Sequence, residues 1–233
     1  MIKYFAFISF VLITSVTFAQ HNSTLKDKEI SRISYVVKGG LDLSNMLVTG
    51  SEDISNGDLK PKTGFHFGIT GEYVVSKIVA FETGILFSNK GVTSSSKNTY
   101  NGALYESNST INLHYLEIPL TAKTYFNVGQ SKIFGALGPY IGLGIGGKNK
   151  GKLVYSGETN SYKQDIQWGS GAEDEFKRLD YGLTVGAGIE VSSIQIEFSY
   201  NLGLANISTI TDNGLKIKNR VLGLSVGYKF GGK

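Results

Sequence analysis

Three glutamates, Glu117, Glu190 and Glu197, sit on the polar side of alternating, strand-like segments. Carboxylates held across one cavity can act as general acid and base. Lys38, Lys123 and Lys229 occupy the same class of position. A lysine beside each carboxylate makes ion pairs that fill an interior, and the sequence favours this reading over acid–base work. The histidines are His21, His66 and His114. A Ser-His-Asp hydrolase would need His66 or His114 beside a serine, and no spacing singles one out. Glu173-Asp174-Glu175 follows Trp168, but the run lacks the spaced oxygen ligands and turn glycine of a calcium loop. Gly142, Gly144, Gly146 and Gly147 alternate with apolar residues, and no Gly-Lys-Ser/Thr follows, so they read as wall and not as a phosphate loop. No catalytic, cofactor-binding or metal-binding residue is assigned, and the chain is read as a non-enzyme with no cofactor.

The segments that carry these residues are strands. Eight runs alternate apolar and polar residues: 34–43, 64–75, 78–90, 113–126, 132–147, 179–191, 194–204 and 220–230. Their connections alternate in length. Ser76-Lys77, 127–131 and Ser192-Ser193 are tight, whereas 44–62, 91–112, 148–177 and 205–219 are long and polar. Tight turns at one rim and long loops at the other are the mark of an up-and-down transmembrane barrel. Each run is about ten residues or slightly more, enough for a tilted strand across a bilayer.

The two faces separate cleanly. In 113–126, Leu116, Ile118, Leu120, Ala122 and Phe126 oppose Tyr115, Glu117, Thr121 and Lys123. In 179–191, Tyr181, Leu183, Val185, Ala187, Ile189 and Val191 oppose Asp180, Gly182, Thr184, Gly186, Gly188 and Glu190. A soluble lipocalin-like barrel would turn the apolar face inward, and a membrane barrel would turn it to lipid. The polar face holds Lys38, Asp42, Glu72, Glu82, Lys90, Glu117, Lys123, Asp180, Glu190, Glu197 and Lys229, with small glycines between them. Opposite charges can pair in a narrow bore. The apolar face carries aromatics near strand ends, among them Phe65, Tyr73, Phe81, Phe87, Phe126, Tyr181, Tyr228 and Phe230, as membrane interfaces favour. Both features select the membrane barrel.

The first residues fit export. Lys3 precedes an apolar run at 4–16, and Thr17-Phe18-Ala19 offers a cleavage site before Gln20. The run is short for a spanning helix. Residues 1–19 are therefore read as a signal peptide, 20–33 as a flexible periplasmic leader and 34–233 as the barrel domain. The chain has 0 Cys, so neither disulfides nor a lipoprotein cysteine contribute. Net charge is +4, with no clustered basic face, which argues against nucleic acid.

Several motifs recur in order along nearly the whole mature chain. They are Gly39-Gly40-Leu41-Asp42-Leu43-Ser44-Asn45-Met46, Tyr115-Leu116-Glu117-Ile118-Pro119-Leu120 and Gly138-Pro139-Tyr140-Ile141-Gly142-Leu143-Gly144. Asp180-Tyr181-Gly182-Leu183, Gly186-Ala187-Gly188-Ile189-Glu190 and the closing Val226-Gly227-Tyr228-Lys229-Phe230 complete the set. In these the chain resembles the PorT-like outer-membrane β-barrel family of Gram-negative bacteria. The resemblance implies an eight-stranded barrel in the outer membrane, association of some members with type IX secretion and gliding, and no catalytic residues. Gly231-Gly232-Lys233 after the last aromatic departs from the usual ending.

The expected protein is all-β, an eight-stranded antiparallel up-and-down transmembrane β-barrel, exported to the cell outer membrane and monomeric there. Its partners are outer-membrane lipid and proteins of an envelope or secretion complex. Tyr100, Tyr105, Tyr155, Tyr162 and Trp168 on the long loops are the expected recognition residues. Alternatives are a narrow passive pore for small solutes, a membrane-embedded enzyme using His66, Glu117 and Glu190, and a soluble lipocalin-like binder.

Overall fold

The computed structural model describes residues 32–50, 59–100, 103–155, 158–171, 173–211 and 214–232, without the side chains of 98–100 and 103–104. The signal peptide at 1–19, the leader up to residue 31 and His21 lie outside the described residues. Nine strands are present among them: β1 (Ile33–Thr49), β2 (Leu59–Val74), β3 (Val79–Tyr100), β4 (Ala103–Val128), β5 (Ser131–Tyr155), β6 (Glu158–Asp165), β7 (Leu179–Val191), β8 (Ile194–Gly203) and β9 (Lys216–Gly231). Every strand pairing is antiparallel. Neighbours in sequence pair in turn, except that β7 takes its place beside β5, and β1 pairs with β9 from Ser34↔Gly231 to Thr49↔Lys216. Eight strands thus close into a ring, which leaves no edge to bury.

The tight turns form as their residues require. Ser76 Oγ accepts the amides of Ile78 and Val79 at 3.3 and 3.1 Å, closing the β2–β3 turn. Gly129 (φ 61°) opens the β4–β5 turn, and Ser192 (φ 56°) takes the left-handed conformation between β7 and β8.

The ninth strand corrects the expected long loops. Residues 91–100 and 103–112 form the far half of the β3–β4 hairpin, paired through to Tyr100↔Ala103. Within 148–177, β5 runs on to Tyr155 and folds back as β6, from Tyr155↔Glu158 to Lys148↔Asp165. Because β7 covers β5 only from Ser131 to Leu143, β6 sits above it on the same flank. The upper parts of β3, β4, β5 and β6 therefore make a sheet beyond the ring. Ile33, expected in the leader, already belongs to β1.

Burial runs opposite to a water-soluble fold in the ring. Lys90 and Lys123 are 0% and 1% exposed, whereas Leu41 and Leu137 are 67% and 61% exposed. The apolar residues form the outer wall, as lipid demands, and charged side chains form the interior.

Candidate functional site in the lumen and its cap

Four layers fill the interior between the turn end and the loop end. At the turn end, Lys229 Nζ contacts Glu72 at 2.6 Å and Glu190 at 3.1 Å, and Tyr125 donates its hydroxyl to Glu72 at 2.6 Å. Gln195 donates to Glu190 at 2.8 Å, and Lys132 approaches the same carboxylate at 3.3 Å. Just above, Glu82 lies 2.6 Å from both Lys38 and Lys123, and Lys38 also faces Glu197 at 3.5 Å. Such pairs persist without water because each charge has an opposite charge within contact.

The middle layer is a cavity of about 60 Å³, lined by Asp42, His66, Ser88, Glu117, Glu197 and Ser199 among others. His66 Nδ1 lies 2.8 Å from Asp42 Oδ1. Gly223 leaves room for this pair, since a Cβ there would stand 3.0 Å from Asp42 Oδ1 and 2.9 Å from Ser199 Oγ. Above it, Lys90 Nζ contacts Glu117 at 2.6 Å and Asp180 at 2.8 Å and lies over the ring of Tyr140. Asn219 donates to Asp180 at 3.0 Å.

The fourth layer is apolar. Met46, Val92, Leu113, Tyr115, Ile166, Phe176, Ala205 and Ile207 form one packed cluster at the loop end. The chain between β6 and β7 bends inward to supply Ile166, Trp168 and Phe176, held by bridges Trp168↔Phe176 and Phe176↔Ser208. The Trp168 ring meets Tyr115 edge-on at 5.6 Å and lies against Gly144, where a Cβ would fall 2.4 Å from it.

Residues 18–209 match the family model described as the outer membrane protein beta-barrel domain. The chain belongs to that family. No curated protein matches the sequence. Solved barrels similar to it include Ail, Neisserial surface protein A and OprG. The attachment invasion locus protein Ail of Yersinia pestis is 17% identical, with 85% of this chain and 99% of that chain covered and a TM-score of 0.37. Neisserial surface protein A is 13% identical over 84% and 97%, with a TM-score of 0.41. OprG from Pseudomonas aeruginosa is 13% identical over 86% and 97%, with a TM-score of 0.38.

Within this outer membrane β-barrel, the three glutamates do not form one acid–base pair. Glu190 belongs to the turn-end layer, Glu197 faces Lys38, and Glu117 pairs with Lys90, a partner the sequence reading did not choose. Lys123 serves Glu82 instead. His66 does meet an aspartate and lies among serines, but about 60 Å³ has room for a few waters and not for an acyl chain or a peptide. His114 lies toward the outer wall, its ring stacked on Phe87 at 5.6 Å and its Nδ1 3.0 Å from Asn89. Asp174 accepts the Gly171 amide at 2.7 Å and Glu175 the Gln167 amide at 3.1 Å, so both stabilise the bend that carries Phe176.

The recognition residues divide. Trp168 is half-buried in the cap, and the Tyr162 ring lies over Gly151, where a Cβ would come within 2.4 Å. Tyr155 is exposed, opposite Tyr105 on the raised sheet. The side chain of Tyr100 lies outside the described residues. Sequence reasoning missed Ile166, Phe176, Ala205 and Ile207, of which Ile166, Phe176 and Ile207 are single apolar residues between polar ones. Their signal was the turn of the inward face of β1 from Asp42 and Ser44 to Met46 and Val48.

Proposed function

We propose that this outer-membrane barrel is a non-enzymatic, monomeric docking platform of the PorT-like type. It presents the raised sheet of β3, β4, β5 and β6 to proteins of an envelope or secretion assembly. One observation carries the reading: the bore is spent on ion pairs and an apolar cap, while three ring strands, β3, β4 and β5, continue past the ring and are joined there by β6. A chain whose interior is filled for stability has its free surface on the extension. Tyr105 and Tyr155, cross-strand neighbours there, are of the type that anchors interfaces. The bore argues against the passive pore, because a solute would have to break two charged layers and the cap.

The test is photo-crosslinking in intact cells, with the reactive residue at Tyr155 and, as control, at Leu137 on the lipid face. A stoichiometric envelope protein captured only from position 155 supports the platform. Capture of nothing from either site, together with discrete single-channel conductance steps from the purified protein, replaces it with the pore.

A further inference from the structure

The apolar cap is not solid. Between the upper ends of β1, β2, β3, β4 and β9 lies a cavity of about 200 Å³, with Phe176 of the β6–β7 segment as a further wall. Its walls include Met46, Val92, Leu59 and Ile217, and the only polar groups among its described lining residues are the hydroxyls of Ser94 and Ser109. Ser109 already donates to Asn149 at 2.8 Å. No charged side chain is among those described lining residues. Protein interiors leave few voids larger than a water molecule, so one of this size within a packed cluster is unusual. Water in a cavity needs two to four polar partners, and two hydroxyls, one of them already donating to Asn149, are the most that the described side chains of these walls offer.

We propose that this cavity is a binding site for a small neutral aromatic molecule of one or two rings. Three observations define the ligand. A dry cavity of about 150 Å³ takes benzene, so about 200 Å³ takes a ring slightly larger. The absence of charge among the described lining residues selects a neutral molecule, because an ion would lose its hydration with no opposite charge among them. Met46 and Phe176 in the wall favour an aromatic guest, through sulfur–ring and ring–ring contact. The site is a dead end: Leu113 and Tyr115 of the same cluster and the Lys90–Asp180 layer separate it from the lumenal cavity. It is thus a sensor or co-ligand site at the base of the raised sheet, not a transport step.

The chain has two methionines, Met1 and Met46, so ¹³C-methyl-methionine labelling places a reporter in the wall itself. The full barrel in lipid nanodiscs is titrated with indole. The expected result is a saturable shift of the Met46 methyl, with affinity at least tenfold weaker in Ser94→Phe, which fills the rim, and in Val92→Phe, which fills the floor. Gel mobility before and after boiling confirms that each variant is folded, and the unsubstituted chain decides the question even if one is not. A linear, non-saturating shift means indole is only partitioning into lipid and overturns the proposal. So does equal binding by folded filling variants, or a methyl-to-water cross-peak at Met46 in the free protein.

Discussion

The inward positions of β1 read Ser34, Val36, Lys38, Asp42 and Ser44 from the turn end and then, further up, Met46 and Val48. The outward positions over the lower stretch are Tyr35, Val37, Leu41 and Leu43, all about half exposed or more. One strand thus passes through two regions with opposite rules. In the ring, polar groups are inside because lipid outside rewards an apolar wall and cannot hydrogen-bond. In the cap, apolar groups are inside because water surrounds them, as in any soluble core. The strand conformation is the same in both, so the surrounding solvent decides which face is buried. Interior charge is tolerated in the ring because Lys38, Lys90, Lys123 and Lys229 each meet a carboxylate there. Interior apolar packing in the cap has no such constraint, and the void it leaves, about 200 Å³, is larger than the cavity of about 60 Å³ among the charged layers.

The sharpest way to break this contrast is to unpair the ring. Glu82 lies 2.6 Å from Lys38 and from Lys123, both almost fully buried. Glu82→Leu leaves two ammonium groups sharing what Glu197 and Glu72 can offer, at 3.5 and 3.8 Å. The expected loss is about 3–5 kcal/mol, measured by equilibrium denaturant unfolding in lipid vesicles. Adding Lys123→Met, so that the chain loses the second charge as well, should return most of that loss, since an apolar pair of similar volume is tolerated. A single variant within about 1 kcal/mol of the parent would mean that water reaches the layer and that the ring is not sealed.

The outer wall gives the next largest effect. Leu137 and Tyr155 both lie on β5 and are 61% and 50% exposed, so accessibility alone does not distinguish them. Leu137 stands in the ring and Tyr155 on the raised sheet. Leu137→Lys puts an ammonium in hydrocarbon and should cost about 2–4 kcal/mol in vesicles. Tyr155→Lys puts it in water and should stay within about 0.5 kcal/mol. Equal costs at the two positions would place the membrane boundary elsewhere and dissolve the distinction between ring and extension.

The same distinction explains what was legible in the sequence. Within lipid the period-2 pattern is forced, so residues 179–191 were expected as a strand and β7 spans Leu179–Val191. The pairing of opposite charges on one face was legible too, since Glu190–Lys229 and Glu197–Lys38 both form. Glu117–Lys90 was missed because it needs the β3–β4 register, and so was His66–Asp42, which joins residues 24 apart across β1 and β2. Above the ring the pattern fails. The β3–β4 hairpin pairs Ser94 with Ser109 and Ser95 with Asn108, and β6 reads Glu-Thr-Asn-Ser-Tyr-Lys-Gln-Asp. A strand with water on its outer side and polar residues on both faces has no alternation to read, and its composition is that of a loop. The cap residues were hidden for a related reason: scattered apolar residues in polar segments form a cluster only after the ring has brought β1, β3, β4 and the segments that follow β6 and β8 together.

The smallest effect separates the two regions by salt. Lys97 and Glu106 pair at 2.6 Å across the raised hairpin, with side chains 68% and 23% exposed. Lys90 and Asp180 pair at 2.8 Å with both side chains fully buried. At about 1 M salt the screening length falls to about 3 Å, which weakens the first pair and leaves the second untouched. Lys97→Ala should therefore change the stability of the hairpin, read by amide hydrogen exchange across Ser95↔Asn108, by no more than about 1 kcal/mol at low salt and by nothing measurable at high salt. Lys90→Met should cost the ring the same at both salt concentrations, because no mobile ion reaches Asp180. If the Lys90 variant also lost its effect in salt, ions would be entering the bore past the cap. The two regions would then share one solvent, and the filled interior on which the platform reading rests would be open.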